Sequence, residues 1–526
     1  MRISFLGATR TVTGSFFVID TGSTRFAVDC GLFQGPKEIK ERNYKEFVVD
    51  PGSIDFLILT HAHIDHIGLV PKLCKHGFKG PIFCSKPTQE LASILLPDSA
   101  YIQESEVERK NRKLKRAGKL LIEPIYTVND ALESMKQFRY LQQDEIIELA
   151  PEVKIRLRDA GHILGSSIVE MWVKEEGKTI KIVFTGDLGN SNQPIIKDPT
   201  LIEDADYIIM ESTYGNRLHK GTHNRLEQLQ QVIKETMAKG GNLIIPAFAV
   251  ERTQDMLYDL YQLYQNGELD PDIDIYIDSP LAIAATQIFE KHIEYYDYEA
   301  SQILANGEHP LRLPNLKVAL TQEESVRLNS VQSNAIIISA SGMCDAGRIK
   351  HHLKHNLWRP ECTVLFVGYQ AQGTLGRRIV DGEKLVRIHG EQVAVKADIR
   401  SIEAYSAHAD QAGLLNWLKH FVKAPKGIFL VHGEEEGQQA LADYIRREIR
   451  VPVHIPDWMD EFVLSPGERV HPQTELMGDE ISKALLSEQM YLELRTTLHN
   501  LFKENWQDNN YDELIEKMKK VQNALR

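Results

Sequence analysis

Residues 60–68 read THAHIDHIG, and this turn decides the fold. His61, His63, Asp65 and His66 crowd three imidazoles and a carboxylate between the apolar run DFLIL and the helix-like IGLVPKL. A solvent-exposed turn that was rich in histidine by chance would have no reason to follow a buried strand. The residue types are those that hold zinc-like cations. Positions 61 and 63 alternate and point the same way, while 65 and 66 reach a second point, so two metals are expected.

Further ligand candidates stand in similar places. His162 follows KIRLRDAG, Asp187 follows IKIVFTG and His432 follows GIFLV, each where a strand ends beside glycine. Polar groups there are held by a rigid sheet yet open to a cleft. Together they complete two sites: His61, His63 and His162 on one, Asp65, His66 and His432 on the other, with Asp187 bridging. Asp29, which ends FAVDCG, has no obvious place as a ligand and is expected to orient a histidine or a water.

The first two hundred residues are short strands separated by Gly and Asp turns, interrupted by a charged, helical excursion over 84–145. From about residue 216 helix and strand alternate, with apolar runs such as NLIIPAF, IDIYID, AIIISAS and TVLFVGY, which predicts a doubly wound parallel sheet. The earlier style resumes after about residue 395 with SIEAYSAHAD and GIFLVHGEEEG. The middle block therefore reads as an insert: a first domain over 1–211 and 396–465, an insert over 212–395, and a helical extension over 466–526. In that extension Tyr491, Leu494, Leu498 and Leu501 share one face, and Tyr511, Leu514, Ile515, Met518, Val521 and Leu525 another. Such faces need a partner, either the chain's own body or a second copy in a homodimer.

At 526 residues the chain exceeds one ordinary core, and roughly 150 residues per domain predicts two to four domains. The net charge of −13 argues against a general nucleic-acid coat. Residues 109–119, RKNRKLKRAGK, nevertheless hold seven bases and no acid, a patch for a polyanion or simply a solvated helix face. Five scattered cysteines without a C-x-x-C pair exclude a disulfide framework and fit a reducing compartment. The strand-like start at Met1 has no leader, and no apolar stretch approaches the ~20 residues that cross a bilayer. The expectation is a cytoplasmic protein without membrane contact.

The turn H-x-H-x-D-H, with its later His, Asp and His, resembles the metallo-β-lactamase superfamily. The insert, with Glu211 in MESTYG, His408 in SAHAD and His432 in LVHGE, resembles the β-CASP nucleases within it, notably the bacterial relatives of the cleavage and polyadenylation endonuclease. The match covers about residues 1–465, with the motifs in the family's order. It implies an α/β fold, an αββα sandwich bearing two Zn²⁺, capped by the inserted domain so that single-stranded RNA threads between them. It also implies that Glu211 hydrogen-bonds His408, and that His432 marks RNA-cleaving members. Asp65, Asp187, Glu211 and His408 are then the catalytic set, with His408 as the proton donor to the leaving oxygen.

Two loops of the insert, SASGMCDAGR (339–348) and GYQAQGTLGRR (368–378), are strand-to-helix turns whose backbone N–H groups can hold phosphate. The resemblance makes Ser339, Ser341, Arg377, Arg378 and Arg252 the expected RNA-phosphate contacts. Alone, such loops are ordinary turns of a doubly wound sheet, and neither spells a nucleotide-binding fingerprint. The expected function is a zinc-dependent ribonuclease, endonucleolytic in mode. Its rivals are a 5′ to 3′ exoribonuclease of the ribonuclease J type, a small-molecule metallo-hydrolase and a non-catalytic scaffold. A small ester needs no such cap, and scaffold members lose ligands that are all filled here.

Overall fold

The computed structural model describes residues 1–175, 177–219, 224–371, 373–465 and 471–472, with isolated positions 515, 517, 519 and 520. Met1–His471 forms one compact unit and Pro472–Arg526 another. The apolar faces expected at 491–501 and 511–525 lie outside the described residues, apart from Ile515.

Two sheets stack face to face. The first has eight strands in the order His471–Pro472, Glu461–Val463, Arg2–Phe5, Phe17–Asp20, Arg25–Val28, Phe56–Ile58, Ile82–Cys84 and Phe138–Tyr140. The second has seven, running from Val453–His454 through Gly427–Val431, Tyr207–Glu211, Lys178–Phe184, Ser167–Glu175 and Val153–Asp159 to Ile147–Ala150. Period-two alternation sorts the side chains. Ile3, Phe5, Phe17, Ile19, Phe26 and Ile58 meet Leu157, Val169, Ile182, Phe184 and Phe429 between the sheets. Val18, Ala27 and Leu57 face outward, onto helices that include Lys86–Arg116. Ile208, Met210, Ile428 and Leu430 face the other way, onto Gln411–Leu418 and Glu435–Glu448. The result is the αββα sandwich.

The insert carries a six-stranded, wholly parallel sheet in the order Leu316–Val318, Asp274–Ile277, Ala335–Ser339, Leu243–Pro246, Thr363–Phe366 and Asp398–Ser401. Its central strands are buried on both faces, which explains their unbroken Ile and Leu runs. The last strand corrects the boundary expected at 395. Asp398–Ser401 pairs in register with Thr363–Phe366, so the insert's sheet ends at residue 401. DIRS carries no apolar run because it is an edge strand, and edge strands take polar residues that discourage further pairing.

The 84–145 segment is more than a surface excursion. It leaves the first sheet from Ile82–Cys84, builds the 31-residue helix Lys86–Arg116 and returns as the edge strand Phe138–Tyr140. Ser85 caps that helix by accepting the Thr88 N–H at 3.3 Å. Its fully buried Leu91 and Leu96 contribute about 1.5–3 kcal/mol each. The basic stretch 109–119 is the helix's exposed distal end, where Arg112 pairs with Glu108 at 3.3 Å. Among the described residues no helix is long and apolar enough to cross a membrane.

The insert is fastened over the sandwich by polar contacts. Asp297 N–H donates to the Ile195 carbonyl at 2.7 Å, and Lys291 pairs with Glu90 at 2.6 Å. Leu164 N–H donates to Glu251 at 2.9 Å.

Candidate metal centre

The strand Phe56–Ile58 delivers the turn carrying His61 and His63, and the short helix Ile64–Ile67 adds Asp65 and His66. This turn lies tight on the first sheet's Asp29–Cys30–Gly31 corner. Ser15 N–H donates to the Asp65 carbonyl and Cys30 N–H to the His66 carbonyl, at 2.9 and 2.8 Å. A Cβ on Gly31 would stand 1.6 Å from the Asp65 carbonyl oxygen, so only glycine permits the approach. Gly189 does the same across the site, where a Cβ would lie 1.5 Å from the Gly161 carbonyl beside His162.

Seven side chains converge as two donor sets. His61, His63, His162 and Asp187 bring one ligand atom each within 4.8 Å of one another, and so do Asp65, His66 and His432. Asp187 faces both. Its Oδ2 is 3.5 Å from Nε2 of His61 and of His162, and its Oδ1 is 3.3 Å from His66 Nε2 and 3.5 Å from His432 Nδ1. A third group joins Asp187 to Glu211 and His408. There Glu211 and His408 are occupied with each other: His408 Nδ1 lies 3.1 and 3.2 Å from the two Glu211 oxygens.

The donors fit cations, and their hydrogen bonds say why. Thr60 Oγ1 donates to Asp29 Oδ2 at 2.8 Å, so it accepts from His61 Nδ1 at 3.0 Å and leaves His61 Nε2 as a lone pair. His162 Nδ1 donates to the Ala407 carbonyl at 3.4 Å, which leaves its Nε2 in the same state. Both lone pairs point at His63 Nδ1, at 3.1 and 3.2 Å. Three ring nitrogens cannot share one proton between them, whereas a cation satisfies all three. Asp187 Oδ1, buried without a hydrogen-bond donor, asks for the same. Thr213 Oγ1 donates to the His432 carbonyl at 3.2 Å and accepts from His432 Nδ1 at 3.1 Å, turning His432 Nε2 toward Asp65 Oδ2 at 3.3 Å.

Electrostatics point the same way. Burial, aided by the charge of neighbouring His66, pulls His61 down to about 3, and burial pulls His63 down to about 4. Both are neutral ligands at neutral pH. Burial alone would raise Asp187, but His432, His66 and His61 outweigh it and hold the carboxyl well below its usual range. Burial likewise lowers His66, yet Asp187 and Asp29 more than reverse this, so the space between His66 and Asp187 calls for positive charge. Burial would lower His408 too, but the charge and hydrogen bond of Glu211, with Asp187 and Asp65, push it up to about 9.

Asp29 sits behind the ligands, accepting from Thr60 N–H and Oγ1 at 2.8 Å each and from His66 Nδ1 at 2.7 Å. The expected phosphate contacts divide. Ser341, Arg377 and Arg378 lie at the surface, where the arginines pair with Asp381 and Glu383. Ser339 and Arg252 do not reach a cleft. The Ser339 hydroxyl is buried and donates to the Asp278 carbonyl at 2.8 Å, while the buried Arg252 guanidinium donates to Asp255 at 2.9 Å. Thr60, Thr213, the Ala407 carbonyl and Glu251 position the ligands unannounced. Thr60 and Thr213 lie next to motif residues, and that adjacency is their one signal.

The chain is similar to known proteins along most of its length. Residues 9–125 match the model of the metallo-β-lactamase superfamily, residues 253–379 that of the β-CASP domain, and residues 392–456 that of the Zn-dependent metallo-hydrolase RNA specificity domain. The chain is 36% identical over 441 residues to ribonuclease TTHA0252 of Thermus thermophilus, covering 84% of this chain and 95% of that one. It is 30% identical to transcription termination factor FttA of Methanosarcina mazei, covering 86% and 70%. The crystal structure of a protein of unknown function from Enterococcus faecalis V583 shares the fold with a TM-score of 0.51 at 12% identity, over 88% of this chain and 99% of its own. With two clusters of metal ligands under an inserted parallel-sheet domain, the chain belongs to the β-CASP nucleases of the metallo-β-lactamase superfamily, a group of metal-dependent hydrolases.

Proposed function

We propose that the protein is a cytoplasmic zinc-dependent endoribonuclease that cuts single-stranded RNA and leaves a 5′ phosphate and a 3′ hydroxyl. The observation that carries this reading is the Glu211–His408 pair set directly against the two donor sets, with the ring centroid of His408 4.5 Å from that of His162. A hydrolase of small esters needs no proton donor of this kind beyond its metals. The RNA specificity match spans both His408 and His432, and a relative named a ribonuclease aligns over most of the chain, which supports RNA as substrate.

The two donor sets would hold two zinc ions, which would supply water activation and neutralise charge on the phosphate. The protein's own groups do the rest. Asp187, facing both sets, fixes their spacing, and Asp29 locks the tautomer and tilt of His66. Glu211, held by the Leu188 N–H at 2.6 Å, keeps His408 protonated and directs its Nδ1 inward. His408 Nε2 is then the ring nitrogen free to give its proton to the departing 3′ oxygen, which needs one because an alkoxide leaves poorly.

Incubating the purified protein with one RNA labelled in turn at either end tests the reading. Internal fragments with a 5′ phosphate and a 3′ hydroxyl are expected from both labels. Mononucleotides released in order from the 5′ end would replace the endonuclease with an exonuclease, and no cleavage with zinc present would remove the ribonuclease reading.

A further inference from the structure

Two large aromatic side chains stand exposed where the insert's parallel sheet ends above the metal centre. Phe248 is 42% exposed in the loop after Leu243–Pro246, and Tyr369 is 40% exposed in the loop after Thr363–Phe366. The two strands are parallel neighbours, with Leu243 beside Thr363 and Ile244 beside Val364, so both loops leave the sheet at the same carboxyl edge. Open α/β sheets bind ligands at that edge. A third loop follows Ala335–Ser339, the strand on the other side of Leu243–Pro246, and it touches both of the others. A Cβ on its Gly342 would stand 3.0 Å from the Phe248 ring, and its Gly342 carbonyl accepts from Gln370 Nε2, next to Tyr369, at 3.0 Å. Gly342 thus links the loops that carry the two rings.

Both loops are linked to the reaction site. Three residues past Phe248, Glu251 accepts the Leu164 N–H at 2.9 Å, two residues from the ligand His162. Glu251 is buried at φ +68°, a strained backbone for a side chain of its size, so this tie fixes the Phe248 loop closely against the metal centre. Burial, with a smaller effect from Tyr369, pushes the Tyr214 phenol up, and the Tyr214 ring lies 6.0 Å from that of His408.

A ring left in water forgoes the stabilisation that burial would give it. Aromatic rings that border a phosphodiesterase site offer flat apolar surface to the one part of a single strand that is flat and apolar, its bases. We infer that Phe248 and Tyr369 form a base-stacking platform that grips one or two nucleotides of single-stranded RNA beside the scissile phosphate. The inference rests on the ribonuclease reading and adds to it a grip that is indifferent to base identity. Phosphate contacts set where the backbone lies, and the rings set which nucleotides sit at the cut.

The test uses the full-length protein with zinc and a single-stranded RNA oligomer carrying one abasic ribonucleotide, walked across the cleavage region. Binding and turnover are both measured. For the wild type, one or two adjacent abasic positions should weaken binding about 5- to 150-fold, the range for losing one stacked base. Phe248→Ala with Tyr369→Ala should bind intact RNA that much more weakly and lose its sensitivity to the abasic position. Phe248→Trp with Tyr369→Phe should retain both. A flat abasic scan in a wild type that cuts RNA overturns the platform and leaves the ribonuclease reading standing. An alanine variant that stays folded and as position-sensitive as the wild type also overturns it. A wild type that neither binds nor cuts RNA overturns both.

Discussion

We propose opposite roles for His408, half-buried, and Asp187, buried, although both stand at one centre. Asp187 presents one oxygen to each donor set, so Asp187→Ala should abolish cleavage and lower metal content below two per chain by elemental analysis. Two metals retained with full activity would refute its bridging place. Glu211 is expected to act through His408. Its charge, against the opposing effect of burial, holds His408 at about 9, so activity should fall as pH rises through that region and the ring loses its proton. Glu211→Gln removes the charge and should move this alkaline limb to lower pH while leaving metal content unchanged. A limb that does not move would separate Glu211 from the proton donor. The candidate ligands are legible in the sequence because four crowd one turn and His162, Asp187 and His432 each follow a strand beside glycine. Thr60, Thr213 and the Ala407 carbonyl are not, since a single hydroxyl forms no pattern and a carbonyl has no letter of its own.

At the scale of elements, the centre depends on how closely two turns approach. The ligand turn 60–66 is pressed on the Asp29–Gly31 corner, and a Cβ at Gly31 meets the Asp65 carbonyl at 1.6 Å. Gly31→Ala should therefore cost about 1–3 kcal/mol, the range for overpacking, and loosen the second donor set. A lower melting temperature together with reduced metal content is the expected result; an unchanged protein on both measures would contradict it. Element identity followed from periodicity, and two features were not legible for physical reasons. DIRS, at 398–401, is a strand whose exposed edge favours polar residues. Ser339 and Arg252 resemble phosphate donors in sequence, yet both are buried in the insert, where they donate to the Asp278 carbonyl and to Asp255.

Over the whole molecule, the compact unit Met1–His471 sets a parallel-sheet insert over a four-layered sandwich, with the ligands from one body and exposed aromatic rings from the other. If, as we propose, a single strand threads between the two, single-stranded RNA should be cut faster than duplex and faster than DNA of the same sequence. Affinity should fall as salt rises, because the strand's phosphates release counterions on binding. Equal rates on RNA and single-stranded DNA would remove His432 as a marker of RNA cleavage. The broad architecture was legible because the apolar runs switch character where the insert begins. The seating of the insert, through contacts such as Glu251 to Leu164, was not, since it joins residues 87 positions apart without a motif.

The central claim is that His408 gives a proton to the leaving oxygen and holds no metal, and one substrate tests it most directly. RNA whose bridging 3′ oxygen is replaced by sulfur departs with little need for protonation. His408→Ala should keep both metals and the fold, lose about 10²- to 10⁴-fold in turnover on ordinary RNA, and recover most of that rate on the sulfur substrate with a thiophilic metal present. A variant that loses a metal, or that stays equally slow on the sulfur substrate, would contradict the account.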